Sequence, residues 1–272
     1  MKLLIRLLVC LIPVKKWRQS SRAFLLNKIY HNRFIVFCID VMNLMSAKIC
    51  NKKRYDVIYS IGHNCACAAN LKRFNLRNTS GPLDWLWRPT LSQVFDVLSS
   101  DFKDFLIKED LVKIEKNPVQ TNHDMEHDYY YNTRNNYQFL HDFPTGCPLD
   151  ECFDKVKTKY DRRIQRFISD MHSQKDVLLV YLILHDKFVF SDAEVIQMCN
   201  SYCDHIGRSI DFLFIENTTS DNGEIIKKQL SNNITKISLC VDIQKNLNGD
   251  KKQLAAVFSK CQLKHFEYNL GG

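Results

Sequence analysis

Glycine and proline are scarce in this 272-residue chain, eight and six respectively, which excludes collagen-like, low-complexity and linker-dominated architectures. No internal repeat recurs. A phosphate-cradling loop is missing too, because Gly62 stands without a GxGxxG or Walker pattern around it. No apolar run approaches the about 20 residues of a membrane span. Leu3–Val14 is interrupted by Arg6 and Pro13, and Phe34–Met45 contains Asp40 and reads as a packed helix. The first stretch also fails as a secretory signal, since Lys15-Lys16-Trp17-Arg18 occupies the place of a small-residue cleavage site.

Acidic residues are nearly absent from the first 54 positions. Twelve Lys/Arg face Asp40 alone there, a net +11 against +8 for the whole chain, so the remainder nets −3. The basic character therefore belongs to an arm, residues 1–54, rather than to the body, residues 55–272. A nucleic-acid partner would need a basic face on the body as well, so none is expected. Residues 1–22 combine apolar side chains, Lys/Arg and Trp17, as suits a helix lying on an anionic membrane surface. The same residues also fit a helix packed on the body, and both readings stand. The eleven cysteines are odd in number, and Cys38, Cys199 and Cys240 fall in apolar periodic runs where cysteine acts as a small core residue. A reducing, cytoplasmic setting is expected, peripheral to the inner membrane if the arm binds it.

With 17 Phe and 11 Tyr the body must fold around a core. Val57–Ile61 reads as a strand and Cys65–Phe74 as a helix. Leu91–Leu106, about Asp150–His172 and Asp192–Ile206 read as further helices, with strands at Val177–Leu184, Ile210–Glu216 and Ile234–Val241. A weaker helix is expected near Glu224–Leu230 and another over Lys251–Cys261, while 115–150 reads as the least regular region. Alternating strands and helices predict an α/β fold: one body domain with a mostly parallel sheet flanked by helices on both faces, preceded by a helical basic arm.

Ser60-Ile61-Gly62-His63-Asn64-Cys65 is the most informative segment. A strand ends at a glycine turn and Cys65 falls at a helix N-terminus, where the helix dipole would favour a thiolate and lower its pKa. The competing reading is a buried cysteine in the small-residue run Cys-Ala-Cys-Ala-Ala. A thiol nucleophile needs a base, and two His-Asp pairs follow apolar runs: His141-Asp142 and His185-Asp186. His123 and His127 are four apart, but Asp124 stands where a zincin has Glu, and Cys65-x-Cys67 and Cys199-x3-Cys203 have no second ligand pair. No metal or cofactor is expected. The basic side of the 150–172 helix, with Lys155, Lys159, Arg162, Arg163 and Arg166, could meet phosphate or an acidic glycan, but such a face is more often solvated, and Asp154, Asp161 and Asp170 partly neutralise it.

Three ordered blocks together resemble a bacterial family of papain-like cysteine peptidases of unknown function. They are Tyr59–Cys65 with Leu71-Lys72-Arg73, then Leu76-Arg77 through Gly81-Pro82-Leu83-Asp84-Trp85, then Tyr137 to His141-Asp142-Phe143 with the Lys159–Arg163 helix behind. The resemblance covers about residues 55–220. It implies Cys65 as nucleophile and His141 as base, with Asp142 beside it in the family block, and an α+β papain-like fold as the alternative architecture. Papain-like enzymes carry an oxyanion Gln before the cysteine. None lies between Asn51 and Cys65, which leaves Asn64 or the Cys65 N–H for that role. His63, Asp84 and Trp85 complete the expected substrate surroundings. The arm is loosely similar to the basic leaders of capsule and lipopolysaccharide enzymes.

Two functions are therefore expected in competition. The first is a thiol-dependent hydrolase or acyltransferase acting at the cytoplasmic membrane face on a carbonyl-containing or glycan-linked substrate. The second is a surface-polysaccharide transferase or binding protein without a cysteine nucleophile, in which Asp84, Trp85, Trp87 and Tyr129–Tyr131 contact sugar.

Overall fold

The computed structural model describes residues 53–87, 89–115, 126–184, 188–218, 225–241 and 249–264. Nearly all of the basic arm, His123, His185 and Asp186 lie outside the described residues.

The central sheet has five strands in the order β2-β7-β8-β10-β9. Strands β2 (Val57–Ser60), β7 (Val177–Ile183), β8 (Asp211–Asn217) and β10 (Ile234–Leu239) run parallel, and β9 (Ile226–Ser231) closes one edge antiparallel to β10. All seven residues of β7 are buried, as a central strand covered on both faces requires. Alternation sends Leu179, Tyr181 and Ile183 into one hydrophobic core, and Leu178, Val180 and Leu182 into the other. The first core is shared with α2 (Leu91–Ser99), α3 (Leu149–Met171) and α4 (Asp192–His205); the second with α1 (Cys65–Arg73) and α5 (Lys251–Phe258). Two of these helices open on reciprocal capping boxes, Thr90 with Gln93 and Ser191 with Glu194.

The fold is thus mixed α/β, and the expectation of one mostly parallel sheet is incomplete. A second, antiparallel sheet, β3-β6-β5-β4, is built from β3 (Leu86–Trp87), β4 (Leu111–Ile114), β5 (His127–Asn132) and β6 (Tyr137–Pro144). It packs into the first core through Leu86, Leu111, Tyr130, Tyr137, Phe139 and Phe143. Residues 127–144, expected to be irregular, form a tight hairpin. Asn132 Oδ1 accepts from the N–H groups of Arg134 and Asn135, and Asn136 takes the left-handed conformation at φ 56°. A short parallel pair, β1 (Lys53–Tyr55) with β11 (Cys261–Leu263), joins the two ends of the described chain.

Two expected helices also differ. The segment expected to be helical to Leu106 stops at Ser99, because Asp101, Phe102 and Asp104 adopt positive φ while Phe102 and Phe105 still reach the core. The expected weak helix around 225–230 is strand β9, whose backbone hydrogen bonds to β10 outweigh the helix propensity of its Lys, Gln and Leu.

Candidate active site

Strand β2 does not simply end at Ser60. Pairing with β7 continues as Ile61 N–H donates to Val180, His63 N–H to Leu182 and Leu182 N–H to Gly62. Gly62 sits at φ 127°, and a side chain there would meet the Tyr181 ring at 3.1 Å. This glycine lets the chain turn over the carboxyl edge of the sheet and enter α1. Asn64, buried and extended, caps the helix by accepting from Ala66 N–H at 2.9 Å. Cys65 is the first helical residue and is half-buried. His63 lies buried with its ring edge-on to Tyr181 at 6.3 Å.

The helix N-terminus was expected to lower the Cys65 pKa. Burial instead pushes this thiol above its usual value, and the Cys65 N–H only partly offsets that. Desolvation disfavours the thiolate more than one aligned N–H favours it. Cys67, two residues on and fully buried, donates its Sγ–H to Val180 O, and burial pushes it up to about 12.

Helix α3 organises what lies beside this turn. Tyr59 on β2 donates its hydroxyl to Asp170 at 2.7 Å, and Arg166 donates to Ser80 O at 2.6 Å. One turn further, Arg163 faces Asp84 closely enough to favour its ionised form. Next come Tyr160 and Lys159, whose hydroxyl and ammonium donate to Asp142 at 2.9 and 2.5 Å. From Asp170 to Tyr160 these contacts climb about 15 Å along the helix, from mid-strand on β2 to the level of the β6 residues 141 and 142. The basic side of α3 is therefore largely engaged, and the expectation of a merely solvated face does not hold for Lys159, Arg163 and Arg166.

Asp84 is the central ion of this stack. It accepts from Arg77 Nε at 3.0 Å, from Arg77 Nη2 at 2.5 Å and from Gly81 N–H at 2.9 Å. Burial raises its pKa, opposed by Arg77 and by the Gly81 N–H. The charge of Asp84 also opposes ionisation of Cys67 in the first turn of α1, an effect smaller than that of burial. The next residue, Trp85, is half-buried and meets the exposed His141 edge-on at 6.2 Å. Arg77 lies over the indole at 5.7 Å, and His127 meets His141 edge-on at 6.2 Å.

Of the residues picked out from sequence, the structure brings Trp85 together with His141. Asp142 goes elsewhere. Neighbouring strand residues project to opposite faces, so His141 is exposed while Asp142 is buried with both oxygens engaged by α3. Arg77, Tyr160 and His127 were not singled out for the site. The available signal was the pairing of single acids, Asp84 and Asp142, with apolar neighbours that force them inside. Among the described residues, no group of three or more His, Cys, Asp or Glu side chains could hold a metal ion. Among them, too, no helix is long and apolar enough to cross a membrane.

Residues 56–215, well over half of the chain, match the family described as "Putative papain-like cysteine peptidase", and the chain belongs to that family. It is also 25% identical over 134 residues to an uncharacterised protein of Acanthamoeba polyphaga mimivirus, a match spanning 44% of this chain and 59% of that protein. No solved structure matches.

Proposed function

We propose that the protein is a thiol-dependent hydrolase or acyltransferase with Cys65 as nucleophile and His141 as proton carrier. The observation that carries this reading is the position of Cys65. It is half-buried and opens a capped helix at the carboxyl edge of a parallel strand, inside the stretch 56–215 that matches the cysteine-peptidase family. Because burial keeps the thiol protonated, attack and deprotonation belong to one step. His141 takes the Sγ proton as the Sγ–C bond forms, and the carbonyl oxygen becomes an oxyanion facing the Cys65 N–H at the helix N-terminus. The tetrahedral species collapses, His141 returns its proton to the departing amine, alcohol or thiol, and an acyl-thioester remains on Cys65. Water or a second nucleophile, deprotonated by His141, then attacks the thioester and restores the thiol.

Trp85 stands edge-on beside His141, and its aromatic ring supports a sugar ring or other flat group as part of the substrate. The basic arm supports attachment to an anionic membrane face. The test is acylation by a p-nitrophenyl ester and an aryl thioester, with peptide mass spectrometry to locate the adduct. The acyl group is expected on Cys65, with His141→Ala slowing its formation by about 10²–10⁴-fold. Acylation that avoids Cys65, or full turnover by a normally folded Cys65→Ser variant, overturns the reading.

A further inference from the structure

The ion pairs along α3 leave a remainder. Asp84 is held by Arg77, Asp142 by Lys159 and Asp170 by Lys175. Each carboxylate in the stack thus has its own cation, and two arginines on one turn of α3, Arg163 and Arg166, are in excess. Arg166 is anchored, since its Nη2 donates to the Ser80 carbonyl. Arg163 makes no hydrogen bond among the described residues. Its guanidinium lies over the Tyr160 ring at 5.6 Å, and its Nε is buried with no partner. A buried donor without a partner loses its hydration and gains nothing in return, so such groups in folded proteins call for an explanation.

We propose that Arg163, with Lys159 and Arg77 beside it, forms a subsite for an anionic group of the substrate, a carboxylate or a phosphate. The guanidinium offers a planar fork of donors matched to two oxygens of such a group. Asp84 is hydrogen-bonded to Arg77, so the second guanidinium near it, Arg163, keeps positive charge that an anion can answer. The subsite adjoins Trp85, which Arg77 covers, and through Trp85 it adjoins His141. A substrate held here carries its charge on one side of the indole and its reacting carbonyl towards α1. Naming the bound group as part of a substrate rests on the Cys65 reading; the anion site itself rests on Arg163.

The experiment is a titration of the full chain with inorganic phosphate and, separately, with acetate, at constant ionic strength made up with chloride. The Nε–H signal of Arg163 and the indole N–H signal of Trp85 are followed by nitrogen-15 NMR. Both signals are expected to move saturably with at least one of the two anions, and the tighter anion identifies the charged group as phosphoryl or carboxyl. Arg163→Gln is expected to weaken binding at least about tenfold, while Arg162→Gln, at the exposed neighbouring position, leaves it unchanged. A linear drift equal to that produced by chloride, or unchanged affinity in folded Arg163→Gln, overturns the proposal. The wild-type titration decides the matter even if that variant misfolds. Repeating it on Cys65→Ser separates the two readings, since anion binding must survive there whether or not Cys65 is the nucleophile.

Discussion

Cys65 and Cys67 sit within one helical turn, and burial raises the pKa of both thiols, so their reactivity should differ by access rather than by activation. Alkylation followed by mass spectrometry is expected to label Cys65 slowly at neutral pH, with a rate that keeps rising beyond the usual thiol value of 9.0, while Cys67 stays protected until the protein unfolds. A rate that already levels off near neutral pH would show an activated thiolate and contradict the concerted proton transfer. The same shifts bear on stability. Both thiols hold their protons more tightly folded than unfolded, so their contribution is complete below pH 9.0 and is lost as pH rises through the folded values. Unfolding in urea at about pH 8 and about pH 10 should show the loss. Asp84 makes a different demand, because its carboxylate and Arg77 are buried together. Asp84→Ala strands the guanidinium and should cost about 3–5 kcal/mol, whereas replacing both partners with apolar residues of similar size should recover most of it. If the single change proves nearly neutral in urea unfolding, the pair is not the anchor of the loop before β3.

The turn into α1 depends on two adjacent devices of different kinds, and single substitutions separate them. Asn64→Ala removes one capping hydrogen bond and should cost about 1 kcal/mol. Gly62→Ala places a side chain at φ 127° against Tyr181 and should cost about 1–3 kcal/mol while displacing His63 and Cys65 with it. Thermal unfolding ranks the two, and acylation of Cys65 should fall more in Gly62→Ala than in Asn64→Ala. This turn is also where sequence was most informative. The strand–glycine–helix order could be read directly because it acts locally, through register and a turn, whereas the capping role of Asn64 came only from the structure. The long periodic helices α3 and α4 and the wholly apolar β7 were legible for the same reason. Strand β9 and the hairpin of β5 and β6 were not, since their structure comes from partners remote in sequence: β10 for the first, and the core packed under Tyr130, Phe139 and Phe143 for the second. The engagement of Lys159 and Arg163 was equally hidden. Helical spacing shows which side chains share a face, but not that a second sheet carries Asp142 up to meet it.

At the scale of the whole chain, charge is divided more sharply than structure. The first 54 residues net +11 and the rest nets −3, so the two parts attract each other weakly, while an anionic bilayer would attract the arm much more strongly. Each Lys or Arg held near such a surface contributes about 1 kcal/mol, and the field decays within a Debye length of about 8 Å at physiological salt. Binding through the arm should therefore depend steeply on both lipid charge and ionic strength. The full chain is expected to sediment with vesicles containing phosphatidylglycerol, to stay behind with pure phosphatidylcholine, and to be released as salt is raised. Replacing Lys15, Lys16 and Arg18 by Gln should weaken binding by roughly 3 kcal/mol, a factor of about a hundred or more. An apolar contribution from Leu3–Val14 and Trp17 would appear as a residue of binding that high salt does not remove. Binding that ignores lipid charge, or that the triple substitution leaves intact, would instead assign the arm to the body, as a helix packed on its slightly acidic surface. In that case the Cys65 site would meet its substrate away from any membrane, and the acylation test, which needs no vesicle, would be unaffected.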